Sequence, residues 1–99
     1  MEMKRCCCGH RKEEIAETAE TLKLLAEESR LEILCVLKND GHCVCEIIDH
    51  LGLPQNLVSH HLKKMKGAGL VLSKKEGLWV HYFLTDKGKR AAENIFKIN

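Results

Sequence analysis

Apolar positions along this chain change their period midway. From Glu13 to Ala26, Ile15, Ala19, Leu22 and Ala26 recur every three or four residues, the spacing of one helical face. A second helix begins near Ser29 with a stripe of Leu31, Leu34, Cys35 and Leu37, which puts Cys35 in the core; "KNDG" then supplies turn chemistry. A third, short helix follows. Its Val44, Ile47, Ile48 and Leu51 fall at i, i+3, i+4 and i+7, and Gly52 suits the left-handed C-cap. After "GLP" a fourth helix runs from about Gln55 to Lys66. Val58, His61, Leu62 and Met65 face inward on it, making His61 a packed, structural histidine, and Gly67 and Gly69 close it.

Beyond Gly69 the period becomes two. "LVLSKK" and "LWVHYFL" flank "EG", and Leu78, Val80, Tyr82 and Leu84 alternate with Trp79, His81 and Phe83. This is strand patterning, with Gly77 at a hairpin turn. Thr85 can N-cap a last helix whose apolar face is Ala91, Ala92, Ile95 and Phe96. The fold expected is mainly α with a β-hairpin, in the order ααααββα: a winged helix-turn-helix. Residues 1–12 read as a cysteine-containing tail and 13–99 as the DNA-binding domain.

A winged helix-turn-helix sets its second helix in the major groove, N-terminal part against the base edges. That makes the outer face of the fourth helix informative. Asn56, Ser59, His60 and Lys63 share it, Gln55 stands at its start, and Lys63 and Lys64 can neutralise phosphates. Lys74 and Lys75 could touch phosphate from the wing. The terminal helices carry apolar faces that the central helices cannot all cover, so a homodimer built on them is expected. Two such reading helices favour an inverted-repeat operator in double-stranded DNA.

Totals refine this picture without deciding it. A chain of 99 residues makes one small domain, and with 4% aromatics its core must be aliphatic. A net charge of +2 says little about nucleic acid, but the lysines cluster centrally while Glu13, Glu14, Glu17, Glu20, Glu27 and Glu28 make the first third acidic. No apolar leader or membrane-spanning run is visible, so the expected location is cytoplasmic, with no membrane partner. No Gly-rich loop or carboxylate pair suggests an enzyme.

Six cysteines are many for such a chain. In a reducing compartment they read as free thiols for metal binding or redox sensing rather than disulfides. Cys43 and Cys45 lie at the start of the third helix, whose N-terminus favours the thiolate, and soft thiolates select soft ions. Residues two apart on a regular helix point about 160° from each other. Either the helix begins after Cys43, or a shared ion distorts the first turn. Two ligands are too few, and Cys6, Cys7 and Cys8 in the tail can complete the set. No organic cofactor is implied.

"LKLLAEESRLEILCVL", "CVCEIIDHLGLPQNLVSHHLKKMKGAGLV" and "GLWVHYFLT" together resemble the ArsR/SmtB family of metal-sensing repressors over nearly the whole chain. "VSHHLKKMKGAGLV" is similar to that family's recognition-helix signature. The resemblance implies a dimeric repressor that leaves its operator when metal binds. "CVC" resembles the thiolate sensors of arsenic, antimony, cadmium and lead. Ile48 stands where arsenic sensors often carry another cysteine, while cadmium/lead sensors recruit tail cysteines, for which "CCCGH" is available. The family's zinc site on the last helix is not carried over, because residues 85–99 hold no histidine. The inducer expected is therefore a thiolate-bound soft ion: cadmium, lead, zinc, or arsenic/antimony. Two rivals use the same cysteines: a redox- or sulfur-sensing repressor of this fold, and a small metal-binding or transfer protein.

Overall fold

In the computed structural model, which describes residues 8–98, helix α1 spans Lys12–Leu25 and α2 Glu28–Val36. A two-residue strand β1, His42–Cys43, leads into α3, Val44–Leu51, and α4, Gln55–Gly67, follows. Strands β2, Val71–Glu76, and β3, Trp79–Leu84, form the wing, and α5, Asp86–Ile95, closes the described chain. Both strand pairings are antiparallel, in the order β1-β3-β2. This is the expected winged helix-turn-helix with one added strand. Two residues are too few to show a period in sequence.

Aliphatic packing holds α4 in place. Val58, Leu62 and Met65 are fully buried against Ile33 and Leu34 of α2, Ile47 of α3 and Leu70. Burying one such side chain contributes about 1.5–3 kcal/mol. The cap signals act as read. Gly52 adopts φ +66° and its N–H donates to the Ile48 carbonyl at 2.9 Å, so α3 stops and the chain turns into α4. Thr85 Oγ1 accepts from the Gly88 N–H at 3.0 Å and starts α5. Gly88 also lies so close to the Leu70 carbonyl that any Cβ there would collide with it, which lets α5 dock against the base of the wing.

Three expectations need correction. Cys35 is exposed, and the buried positions of α2 are Ile33 and Leu34, with Leu37 at its C-cap. Five consecutive apolar residues, 33–37, carry no phase, and the core selects the face. Leu78 lies in the turn rather than in a strand: Glu76 pairs with Trp79, leaving Gly77 and Leu78 as a two-residue loop, with Gly77 at φ +62°. Free thiols are expected throughout, yet the Cys43 and Cys45 sulfurs are bonded.

The apolar stripe of α1 exists but is not covered by the described residues. Ile15 and Leu22 remain about half exposed, at 48% and 50%, and only Leu25 is buried. Phe96 and Ile98 are also exposed beyond α5.

Candidate DNA-reading face and thiol joint

Helix α4 presents two opposite faces. Its inner face is the buried set just described plus His61. Every outer residue singled out in the sequence, Gln55, Asn56, Ser59, His60, Lys63 and Lys64, is exposed. At 1.5 Å per residue the helix is about 20 Å long, enough to lie in a major groove with Gln55 and Asn56 leading. The wing runs alongside. Lys66 Nζ donates to Ser73 Oγ at 2.7 Å, joining the end of α4 to β2, while Lys74 and Lys75 stay exposed.

The thiol joint forms where β1 becomes α3. Cys43 is the N-cap of α3, with extended backbone at φ −72°, ψ 156°. Of the two routes open to the sequence, the structure takes the first: the helix begins after Cys43. The 160° opposition of a regular turn therefore does not apply, and with Cα atoms 5.4 Å apart the sulfurs of Cys43 and Cys45 meet. Cys43 is buried, whereas Cys45 is exposed.

Cys43 is fastened on two sides. Across the sheet it is directly opposite His81 of β3, which is itself opposite Lys74 of β2. Toward the helix, its N–H donates to Glu46 Oε1 at 3.0 Å, in a capping-box relation. That hydrogen bond is the main reason the Glu46 carboxyl is held below its ordinary value; it outweighs an opposing desolvation effect, and His42 and then His81 lower it further. His42 Nδ1 lies 3.6 Å from the same carboxylate oxygen. His81 Nδ1 is screened from solvent and makes no hydrogen bond, although Glu76 Oε1 lies 3.4 Å away.

Cys6 and Cys7 lie outside the described residues, and Cys8 is exposed and unbonded. Among the described residues no three His, Cys, Asp or Glu side chains converge into a metal-holding group. Sequence reasoning missed Glu46 and His81 as partners of Cys43. Glu46 carried a signal, since it stands three residues after an N-cap candidate, the position of a capping-box carboxylate.

Comparison with known proteins gives this geometry a lineage. The family described as bacterial regulatory protein, arsR family, matches residues 27–73, from the N-cap of α2 into β2. An uncharacterized HTH-type transcriptional regulator of Methanocaldococcus jannaschii is 44% identical over 75 residues, 75% of this chain and 84% of that protein. The arsenical resistance operon repressor of Escherichia coli is 42% identical over 64 residues, 64% of this chain but only 55% of the repressor. A Staphylococcus aureus cadmium resistance regulatory protein, a CadC homolog, is 33% identical over 82 residues, 81% of this chain and 68% of its own length.

Among solved structures, HlyU from Vibrio cholerae superposes with a TM-score of 0.81 at 33% identity, covering 88% of this chain and 96% of HlyU. Reduced HlyU gives the same score and identity over 88% and 93%. The homodimeric winged helix-turn-helix DNA-binding domain of Mb0332 from Mycobacterium bovis gives 0.77 at 26% identity, over 85% and 79%. The family match from α2 into β2, the sequence identity and the superposition over most of the chain converge, and the chain belongs to the ArsR family of transcriptional regulators, whose members are not enzymes.

Proposed function

We propose that this protein is a homodimeric repressor that grips an inverted-repeat operator through α4 and the wing. It lets go when a thiophilic ion is held by Cys43 and Cys45 together with arm thiols from Cys6, Cys7 and Cys8. The observation that carries the reading is the convergence of the Cys43 and Cys45 sulfurs at the root of α3. As thiolates, the two fit one edge of a soft-ion site, and the three arm cysteines can complete it.

The joint explains how such a site would reach the DNA. Cys43 belongs at once to the sheet that carries the wing and to the first turn of α3. Helix α3 packs on α4. Tethering the arm at Cys43 and Cys45 would load that joint and shift the two reading helices of a dimer away from the spacing of two half-sites. The similarity to arsenical and cadmium resistance regulators supports a metal inducer, and the homodimeric M. bovis neighbour supports the dimer. The test is spectroscopic. Reduced protein titrated with cadmium, lead, zinc or arsenite should show ligand-to-metal absorption for its inducer. The band should shrink in Cys43→Ser, in Cys45→Ser and in a variant with Cys6, Cys7 and Cys8 all replaced by Ser. An unchanged band in the arm variant would remove the arm from the site.

A second reading is favoured by the same two sulfurs. Cys43 and Cys45 are bonded, and two thiols can form that bond by losing two protons and two electrons to an oxidant. The joint would then respond to oxidation rather than to an ion. Operator binding measured across a redox buffer without metal separates the two.

A further inference from the structure

His61 is the buried polar residue among the described residues, 3% exposed in a face otherwise made of aliphatic side chains. It is fully engaged. Its Nδ1 accepts from the Arg30 Nε–H at 3.2 Å, so Nδ1 carries no proton and Nε2 does. Nε2 faces Glu27 Oε1 at 3.4 Å. Arg30 is nearly as enclosed, with its side chain 13% exposed. One of its terminal nitrogens donates to the Leu24 carbonyl at 3.1 Å, and the other lies 3.4 Å from Glu27 Oε2.

Three elements meet here. Leu24 lies in the last turn of α1, where helix carbonyls lack partners within the helix. Glu27 is the N-cap of α2, makes no cap bond with its side chain, and so has its carboxylate available for the other two residues. His61 sits in the middle of α4, next to His60 on the outer face. Val58, Leu62 and Met65 hold α4 by contacts that have no preferred direction. Aliphatic packing tolerates small rotations, whereas DNA reading requires side chains set within about 0.5 Å and 10–20°. A relay of directed hydrogen bonds supplies what the aliphatic contacts lack.

We propose that His61 is a positioning residue for DNA reading: the relay from the Leu24 carbonyl through Arg30 to His61, braced by Glu27, fixes the rotation of α4 relative to α1. It rests on α4 being the reading helix. Because α1 carries the uncovered apolar face, the relay ties the angle of the reading helix to the helix on which two copies would pair.

The test uses the full chain and a duplex selected by the wild-type protein from a random pool. Three variants divide the possibilities. His61→Gln keeps an acceptor for Arg30 and a donor for Glu27. His61→Leu keeps the bulk and removes both. Arg30→Met keeps the stem and leaves the core histidine in place. All should remain folded dimers by circular dichroism and sedimentation. His61→Gln should bind within about threefold of wild type, while His61→Leu and Arg30→Met should each bind about tenfold more weakly or worse. The double variant should be no weaker than either single, because both remove one relay.

Losses that multiply in the double variant, wild-type affinity in a folded Arg30→Met, or His61→Gln failing as badly as His61→Leu would each overturn the proposal. Should His61→Leu not fold, Arg30→Met and His61→Gln still decide it. Should the wild type select no duplex at all, the assignment of α4 fails instead. The relay is then judged by hydrogen exchange, where Arg30→Met should lower protection of α4 amides more than of α3 amides; equal protection would overturn it.

Discussion

Cys43 stands opposite His81 in the β1–β3 ladder and is also the residue from which α3 springs. One residue thus belongs both to the sheet that carries the wing and to the helix that packs on α4. Whatever binds or bonds its sulfur acts on both. The opposite end of α4's support is a separate device, the Arg30–His61 relay, built from hydrogen bonds rather than thiols.

If α4 is the reading helix, its exposed face should divide into base readers and phosphate neutralisers. Asn56→Ala and Ser59→Ala should each cost about 1–3 kcal/mol on the preferred operator and relax the choice of bases. Lys63→Ala and Lys64→Ala should instead weaken binding to all sequences. Each should also flatten the salt dependence by about one unit of log–log slope for every phosphate left without its lysine. Operator titrations at several salt concentrations distinguish the two patterns.

The apolar stripe of α1 should be the dimer face. A groove of about 370 Å³ along it is lined by Ile15, Ala19 and Leu22, among others. Because Leu22 is half exposed in the single chain, Leu22→Glu should change the stability of a lone protomer by about 0.5 kcal/mol or less. It should nevertheless shift sedimentation from dimer to monomer and abolish operator binding at matched concentration.

Glu46 should make the thiol joint sensitive to acid. Its carboxyl is held below the ordinary value of 4.5, first by the Cys43 N–H and then by His42 and His81. A depressed carboxyl stabilises the fold above the unfolded-state value, and that contribution fades as pH falls through the lower folded-state value. Thermal melts taken downward from neutral pH should show wild type losing stability below about pH 4.5, with Glu46→Gln losing less over the same interval. Glu46 is exposed, so the difference should be small.

Oxidation and ion binding should exclude each other. A disulfide between Cys43 and Cys45 leaves no thiolate at the joint. Protein prepared without reductant should take up markedly less cadmium than the same sample after reduction. The single tryptophan, Trp79, lies in β3 two residues from His81, so its fluorescence should also report the change at the joint.

Much of the fold is legible in the sequence, and the exceptions have physical causes. Helices α3 and α4 declare themselves because apolar residues separated by polar ones give a phase: Val44, Ile47, Ile48 and Leu51 on one, Val58, Leu62 and Met65 on the other. Gly52 and Thr85 are readable as caps because few residue types do those jobs. Cys35 is misplaced by periodicity because residues 33–37 are all apolar, and only the core decides which of them turn inward. The bonded pair escapes a helical reading because the backbone is still extended at Cys43. The Arg30–His61 contact joins residues 31 apart in sequence, a separation at which local periodicity is silent.

Centrally, the sulfurs of Cys43 and Cys45 should govern how tightly the dimer holds DNA. Operator affinity of wild type and Cys43→Ser, measured under reductant at one salt concentration with and without cadmium, lead, zinc or arsenite, tests this most directly. At least one ion should weaken wild-type binding by about 5–150-fold, the usual span of allosteric coupling, and leave Cys43→Ser bound as before. Wild-type affinity indifferent to every ion, or equal release of Cys43→Ser, would contradict it.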